Sequence, residues 1–419
     1  MFLCGWGGGS AVFRVKESMT DITLISPPSR NDTHFRPPLA LMYVAEWYRS
    51  QGKSVKIIDK PITAIRTKKF LKNRDFIINQ HKDEMLSMLG NEKEIGISCY
   101  STEFEEVKSL INDIRGFSDA PITVGGIHPT LKPEDFSGIA EIKQGRCDVG
   151  YPAYDLVNMD YYCTPNPYAI RGVYIKATYV LSSIGCPSNC AFCVAPRLRP
   201  HFGCGYIKTS EKLAEEVKFL RSKYGVDGFY IIDDCFTIDK NYVKDFCGRI
   251  KNSNLVWGCS SRVTTVDEET IKQMSKSGCI QMDFGVERGS NEELLRVRKG
   301  QTIEKVKEVF LWCKQNRIRT FGNFLVGIEG DNRTHLADIE SLIRQLQPTL
   351  VSVNNYQDYY GTELKCGNEY NDWAVGINKR YNRIELCLFK GIITTKHKLE
   401  YIKNLWYLLL EVINQKSAS

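Results

Sequence analysis

Short apolar runs rich in β-branched residues alternate with helix-periodic stretches, in two series separated by an irregular segment. This alternation constrains the fold more than any other feature, because each strand followed by a helix must return parallel to the strand before it. In the first series the runs Ile22–Ile25, Val55–Ile58, Ile95–Cys99 and Ile122–Val124 read as buried strands. Leu39–Gln51 and Phe104–Ile114 have helical periodicity. Residues 21–135 are therefore expected to form a doubly wound, flavodoxin-like parallel sheet. On such a sheet ligands lie outside the carboxyl ends of the strands. Here those ends are Ser26–Pro38, Asp59, Tyr100–Thr102 and Gly125–Thr130.

The stretch 136–172 is rich in proline and tyrosine and reads as a linker between domains. From Val173 the alternation resumes, with strands expected at Ala177–Ser183, Gly228–Ile232, Leu255–Ser260, Ile280–Gly285, Thr320–Val326 and Leu350–Asn354. Six strand–helix units predict a partial (β/α)6 barrel over 173–360, with functional residues at the C-terminal strand ends. The tail 361–419 is expected to be short and mostly helical, ending in a helix over Lys398–Asn414.

A chain of 419 residues has room for two or three domains. Its 42% hydrophobic and 25% charged content is that of a globular protein, which excludes a disordered or fibrous one. No run approaches the ~20 apolar residues of a membrane span. Residues 1–20 carry Gly5, Gly7, Gly8 and Gly9 and no apolar core of a signal peptide. They read as an extension outside the fold, with Met19 as the expected natural start. The net charge of +7 is spread through mixed Lys/Glu runs, which reads as solvated helix faces. A nucleic-acid partner is not expected. Fifteen cysteines without a secretory signal point to a reducing cytoplasm rather than to disulfides. Cys99, Cys259, Cys279 and Cys313 sit in apolar runs and read as small core residues.

Three cysteines are different. Ser183-Ile184-Gly185-Cys186-Pro187-Ser188-Asn189-Cys190-Ala191-Phe192-Cys193 follows the first barrel strand with the spacing C-x3-C-x2-C. So short a loop can wrap three thiolates around one small object, and soft thiolates select iron–sulfur clusters or zinc. Structural zinc wants four ligands, and the only nearby fourth is Cys204, in the Gly203–Gly205 turn. Three thiolates on a four-iron cube leave one iron open for a ligand.

With an aromatic residue before its last cysteine, this loop resembles that of the radical S-adenosylmethionine superfamily. The resemblance implies that Cys186, Cys190 and Cys193 hold a [4Fe–4S] cluster. Its open iron would chelate the amino and carboxylate groups of S-adenosylmethionine, and Phe192 would lie near the adenine. The likeness continues along the barrel. Phe229-Tyr230-Ile231-Ile232-Asp233-Asp234-Cys235-Phe236 resembles a second strand whose end meets the cofactor's ammonium; Asp233 or Asp234 would accept it, unless the pair only caps a turn. Trp257 through Arg262 resembles the third strand, with Arg262 either on the cofactor carboxylate or in a structural ion pair. In Asp283-Phe284-Gly285-Val286-Glu287, Gly285 allows close backbone approach. Glu287 would bond a ribose hydroxyl or hold the strand end. Lys299-Gly300-Gln301-Thr302 continues the match. Phe324-Leu325-Val326-Gly327-Ile328-Glu329-Gly330-Asp331 keeps the glycines of the adenine-side turn, Gly327 among them, but departs from the family at Glu329 and Asp331.

Residues 21–130 resemble the cobalamin-binding-type domain that precedes many such barrels. The likeness rests on Ser26-Pro27-Pro28, Pro37-Pro38-Leu39-Ala40-Leu41, Val55–Asp59 and Val124-Gly125-Gly126-Ile127-His128-Pro129-Thr130, with Gly125, Gly126 and His128 as the cofactor-side candidates. Two departures stand out. Asp32-Thr33-His34-Phe35-Arg36-Pro37 keeps only half of the D-x-H-x-x-G pattern, so His34 reads as a loop histidine. Gln144-Gly145-Arg146-Cys147 replaces the usual acidic turn, so the last strand and helix are expected to be trimmed. The resemblance implies a cobalamin-dependent radical methyltransferase or a related C–H-modifying enzyme. The alternatives are a radical enzyme without cobalamin, a tRNA-modifying methylthiotransferase and a non-catalytic cluster-bearing regulator. The methylthiotransferase is disfavoured because Cys99 is the only cysteine between Thr20 and Gly126. A low-potential electron donor is the expected partner. The substrate, a small molecule or a peptide, and the catalytic residue are not legible. Specificity is expected from the linker and from the segment around Asn355, Tyr359, Tyr360 and Trp373.

Overall fold

The computed structural model describes residues 20–27, 36–59, 74–147 and 150–382. The expectations for Met19, His34 and the helix Lys398–Asn414 lie outside the described residues. The first sheet contains β1 (Thr20–Ile25), β2 (Val55–Ile58), β3 (Glu92–Ser98), β4 (Ile122–Gly125) and β5 (Glu141–Lys143), in the order β2-β1-β3-β4-β5. All its pairs are parallel. Between them run α1 (Leu39–Arg49), α2 (Arg74–Ser87), α3 (Phe104–Arg115) and the short α4 (Ile127–Leu131).

Side chains alternate across a strand, so residues two apart share a face. In β1, Ile22 and Leu24 pack with Leu41, Met42 and Ala45 of α1. Ile25 joins the opposite core with Ile97, Val107, Leu110 and Ile111. Covering both faces requires apolar residues at nearly every position, hence the continuous runs in the sequence. β5 is the final strand that was expected to be trimmed. It is present, but only three residues long, with Ile142 its one apolar residue. It therefore leaves no run to read, and it falls within the stretch taken as linker.

That stretch is packed rather than loose. It carries α5 (Met159–Tyr162) and β6 (Pro165–Asn166), and Tyr154, Met159, Tyr162, Cys163 and Ile170 are buried. Tyr154 donates to Glu216 Oε1 (2.6 Å), and Lys208 Nζ bridges Glu216 Oε2 (2.5 Å) and Tyr43 of α1 (2.6 Å). This buried network ties the first sheet, the middle segment and the barrel together.

The second sheet is a partial barrel. Its strands are β7 (Ile175–Val180), β10 (Gly228–Ile231), β11 (Val256–Ser261), β12 (Cys279–Glu287), β13 (Arg319–Val326) and β14 (Leu350–Asn355), all parallel, with β6 antiparallel at the edge. β8 (Ser183–Ile184) and β9 (Gly205–Tyr206) form a separate antiparallel ribbon, so the expected first strand ends at Val180. Helices α6 (Ala195–Phe202), α7 (Ser210–Tyr224), α8 (Lys240–Ile250), α9 (Glu268–Lys276), α10 (Asn291–Arg296), α11 (Ile303–Gln315), α12 (Arg333–Leu346) and α13 (Asn371–Tyr381) complete the described part. Their starts were encoded locally. Thr209, Asp239, Asp267, Ser290, Thr302 and Asn332 each accept a backbone N–H of the first turn, each such cap stabilising by about 1 kcal/mol. No helix among the described residues is long and apolar enough to cross a membrane.

Candidate functional site

The thiol loop leaves β8 and returns through α6 to β9, so the two-stranded ribbon clamps both its ends. Gly185 takes φ +74°, and a Cβ there would lie 2.7 Å from the carbonyl oxygen of Gly203. Only glycine lets the two ends pass so closely. Arg199 donates to the carbonyls of Cys186 and Ser188, both at 2.9 Å. Ala191 N–H donates to Val297 O, and Glu363 N–H donates to Ala191 O, both at 3.1 Å. The loop is thus held from three sides without using a sulfur.

The sulfurs have other contacts. Arg262 Nη1 donates to Cys190 Sγ (3.4 Å) and the Ala195 N–H to Cys193 Sγ (3.4 Å). Burial pushes the Cys193 thiol up, with the neighbouring cysteines adding to the shift. A cationic centre among these sulfurs would reverse that preference. A single zinc at about 2.3 Å from each sulfur would draw three of them to about 3.8 Å apart. No three thiols among the described residues lie within 4.8 Å of one another. The zinc alternative therefore draws no support from this geometry. Cys204, its proposed fourth ligand, is exposed.

Cys186, Cys190 and Cys193 line one end of a cavity of about 420 Å³. Phe192, Asp233, Asp234, Arg262, Gly285 and Glu287 line it as well. Their individual geometry sharpens several roles. Asp233 is buried and accepts the Ser182 N–H (2.7 Å) and the Ser182 and Ser183 hydroxyls (2.5 and 2.6 Å), so it fastens the end of β7 to that of β10. Asp234 stands at the solvent-reaching rim. The surrounding protein lifts its carboxyl above the usual range, and the Gly185 N–H opposes that. Of the pair, Asp234 is the one with an oxygen to offer.

Glu287 adopts φ +70°, unusual for a residue with a side chain, at a register break between β12 and β13. It pairs with Lys299 at 2.9 Å. A Cβ on Gly285 would lie 2.2 Å from Glu287 Oε1, so this glycine makes room for the ion pair. Lys299 also sits over the Phe192 ring, 5.6 Å from its centre. Phe192 packs with Val297, Ile328, Tyr356 and Leu364. Gly327, at φ +79°, supports the turn after β13, where a Cβ would meet Asn355 Oδ1 at 2.9 Å.

The Asp331 departure has a structural role. Asp331 and Glu293 are gripped by Arg288 and Arg296, with contacts between 2.5 and 3.0 Å. With His335 these carboxylates have metal-like spacing, but the two guanidiniums already neutralise them.

The N-terminal candidates are not at this cavity. Gly126 takes φ +111°, and a Cβ would lie 2.9 Å from Cys99 O, so it allows β4 and β3 to close together. His128 is buried against Phe104 and Phe136. Its Nδ1 is 3.0 Å from Ser101 Oγ, and its Nε2 is 3.2 Å from Asp135 Oδ2, too poorly aligned for a hydrogen bond. Asp59 accepts the Tyr162 hydroxyl at 2.5 Å. Sequence reasoning missed Arg36, Tyr168 and Arg171, which also line the cavity. The first borders a loop and the others sit in the supposed linker, and no local pattern marks them.

Two family models match. Residues 180–343 match the radical SAM superfamily and residues 31–146 the B12 binding domain. The chain is 29% identical over 225 residues to the uncharacterized methyltransferase PH0819 of Pyrococcus horikoshii, covering 52% of this chain and 46% of that one. It is 27% identical over 184 residues to the anaerobic magnesium-protoporphyrin IX monomethyl ester cyclase of Rubrivivax gelatinosus, covering 43% and 33%. The matched parts thus span less than half the length of these relatives. Among solved structures, the fold is similar to the radical S-adenosylmethionine methyltransferase TsrM of Kitasatospora setae, with TM-score 0.62, 17% identity and coverage of 80% and 75%. It is also similar to the cobalamin-dependent S-adenosylmethionine radical enzyme OxsB, with TM-score 0.61, 15% identity and coverage of 80% and 53%. The radical SAM family implies a [4Fe–4S] cluster and S-adenosylmethionine as cofactors. The chain carries a radical SAM domain over residues 180–343, preceded by a B12-binding domain over residues 31–146.

Proposed function

We propose that this protein is a radical S-adenosylmethionine enzyme that modifies an unactivated C–H bond, using cobalamin as methyl carrier. One observation carries the reading. A single cavity is lined by the three thiols, by strand-end residues of the barrel and by Arg36 from the first loop of the N-terminal domain. The two domains therefore share one chamber.

When bound, the cluster supplies the electron that splits the cofactor into methionine and a 5′-deoxyadenosyl radical, and the corrinoid supplies a methyl group. Cys186, Cys190 and Cys193 would hold the cluster. Asp234 would accept the cofactor's ammonium, and Arg262, already turned to Cys190, would face its carboxylate. The Glu287–Lys299 pair presents fixed polar groups beside Phe192 without an unpaired buried charge. The N-terminal domain helps wall the chamber from water; α4 packs against α6, the helix that follows the thiol loop.

The test is anaerobic reconstitution with and without cobalamin. Four irons per chain, brown absorbance and release of 5′-deoxyadenosine are expected, with S-adenosylhomocysteine appearing as well when methyl transfer occurs. Reconstituted, reduced protein that forms neither product would refute the reading. A second reading, a radical enzyme without cobalamin, draws support from Gly126 and His128, since both are accounted for by packing within the first sheet. Protein that retains no corrinoid yet still releases 5′-deoxyadenosine would favour it.

A further inference from the structure

The shared cavity has two chemically different ends. At the thiol end each cation is matched: Lys299 by Glu287 at 2.9 Å, and Arg262 by Cys190 Sγ and the Lys299 carbonyl. The other end is lined by Arg36, Arg171, Tyr179, Tyr230, Asp283 and Asn323. Here neither arginine has a carboxylate in ion-pair contact among the described residues.

Both guanidiniums are held by aromatic rings instead. Arg171 lies over Phe321, 4.3 Å from the ring centre, and its side chain makes no hydrogen bond within the described residues. Arg36 lies over Tyr179 at 5.1 Å. A ring under a guanidinium fixes its position and leaves N–H groups at its edge for a ligand, although Arg36 also reaches the Tyr179 hydroxyl. Arg171 is further positioned by its own backbone, whose carbonyl accepts from Arg319 Nη1 (2.9 Å). Asp283, the one carboxylate at this end, already accepts from Gln281 Nε2 (2.9 Å); burial pushes it toward its neutral form, and the nearby charge of Arg171 opposes this only in part. Two guanidiniums thus face a single, occupied carboxylate. Both arginines are exposed, so a ligand can reach them from solvent. Arg36 lies between β1 and β2 and Arg171 beyond the last strand of that sheet, yet they converge on one cavity.

We propose that this end is the substrate's anchor, and that Arg171 and Arg36 bind an anionic group, a carboxylate or a phosphoryl group, leaving the carbon to be modified toward the thiol loop. The proposal rests on the radical reading of the thiol end. Fork-shaped guanidinium edges suit either anion, because both present two oxygens at matching spacing.

The test is calorimetric titration of cluster-reconstituted protein, saturated with S-adenosylmethionine, with benzoate, phenylphosphonate and the neutral isostere benzamide. At least one anion is expected to bind about tenfold or more tightly than benzamide, the range of a charge-assisted hydrogen bond. Arg171→Gln and Arg36→Gln should each remove most of that preference without altering benzamide binding. Arg171→Lys, which keeps the charge but not the fork, should retain part of it. Arg115→Gln, on the outer helix α3, should change nothing. Whichever anion binds better assigns the group. Equal binding of anions and benzamide, an Arg171→Gln variant with wild-type anion affinity, or an equal loss in Arg115→Gln would overturn the proposal. Wild-type protein that releases no 5′-deoxyadenosine would defeat the radical reading separately, because the titration needs no turnover.

Discussion

The carboxyl edges of the two parallel sheets carry similar residues, glycines beside charged or polar side chains, yet put them to opposite use. At the barrel edge, the missing Cβ of Gly285 leaves space that the Glu287–Lys299 pair fills, and the pair faces a cavity. At the edge of the N-terminal sheet, the missing Cβ of Gly126 lets two backbones meet, and His128 beyond it is sealed between two phenylalanines. The first edge is built open and the second closed. A glycine-rich strand end therefore says that something comes close to the backbone; whether that is a ligand or the protein itself depends on what the neighbouring strand supplies.

The largest contrast should come from the proposed cluster ligands. Cys190→Ala is expected to lower iron content and 5′-deoxyadenosine release by more than about a hundredfold, beyond the loss typical of residues that only support a metal ligand. Heat unfolding of the N-terminal sheet should not change. If Cys190→Ala retained a full four irons, the open edge would not be a cluster site. The next effect is thermodynamic. Lys299→Met leaves Glu287 buried without its cation, which costs about 3–5 kcal/mol. Denaturant titration should show this as a lowered midpoint. A change below ~1 kcal/mol would mean that the pair is solvated and does not shape the cavity.

What the sequence disclosed follows the same division. Strands covered on both faces leave unbroken apolar runs, and capped helices leave Thr, Asp, Ser or Asn at their starts, so the barrel was legible almost element by element. The thiol loop was legible because its three cysteines lie within eight positions of one another. β5 was not, because an edge strand of three residues needs only one apolar side chain. Nor were Arg36 and Arg171, whose meeting depends on how the first loop and the middle segment fold back across the barrel. Asp233 and Asp234 are adjacent in sequence and could not be told apart there. Only the Ser182 and Ser183 hydroxyls show which one is already engaged.

Gly126→Ala probes the closed edge directly. A Cβ 2.9 Å from Cys99 O, at φ +111°, can be accommodated only by moving backbone, and a loss of about 1–3 kcal/mol is expected. Calorimetry should place that loss in the unfolding of the N-terminal sheet, with iron content unchanged. A stable Gly126→Ala protein that no longer retained cobalamin would reverse the assignment and make this edge an open one.

The smallest effect is a pH dependence at His128. Burial depresses its pKa, and the nearby Asp135 only partly offsets this. In the unfolded chain the imidazole takes up a proton near its ordinary value of about 6.5, whereas the folded protein resists until a lower pH. His128 therefore contributes stability that is fully present above about pH 6.5 and is lost as pH falls toward the folded value. His128→Phe, which keeps a ring between Phe104 and Phe136, should flatten the fall in melting temperature between pH 7 and pH 5 while leaving 5′-deoxyadenosine release unchanged at neutral pH. If the variant kept the wild-type slope, the imidazole would not be sealed, and the contrast between a closed and an open edge would lose its clearest witness.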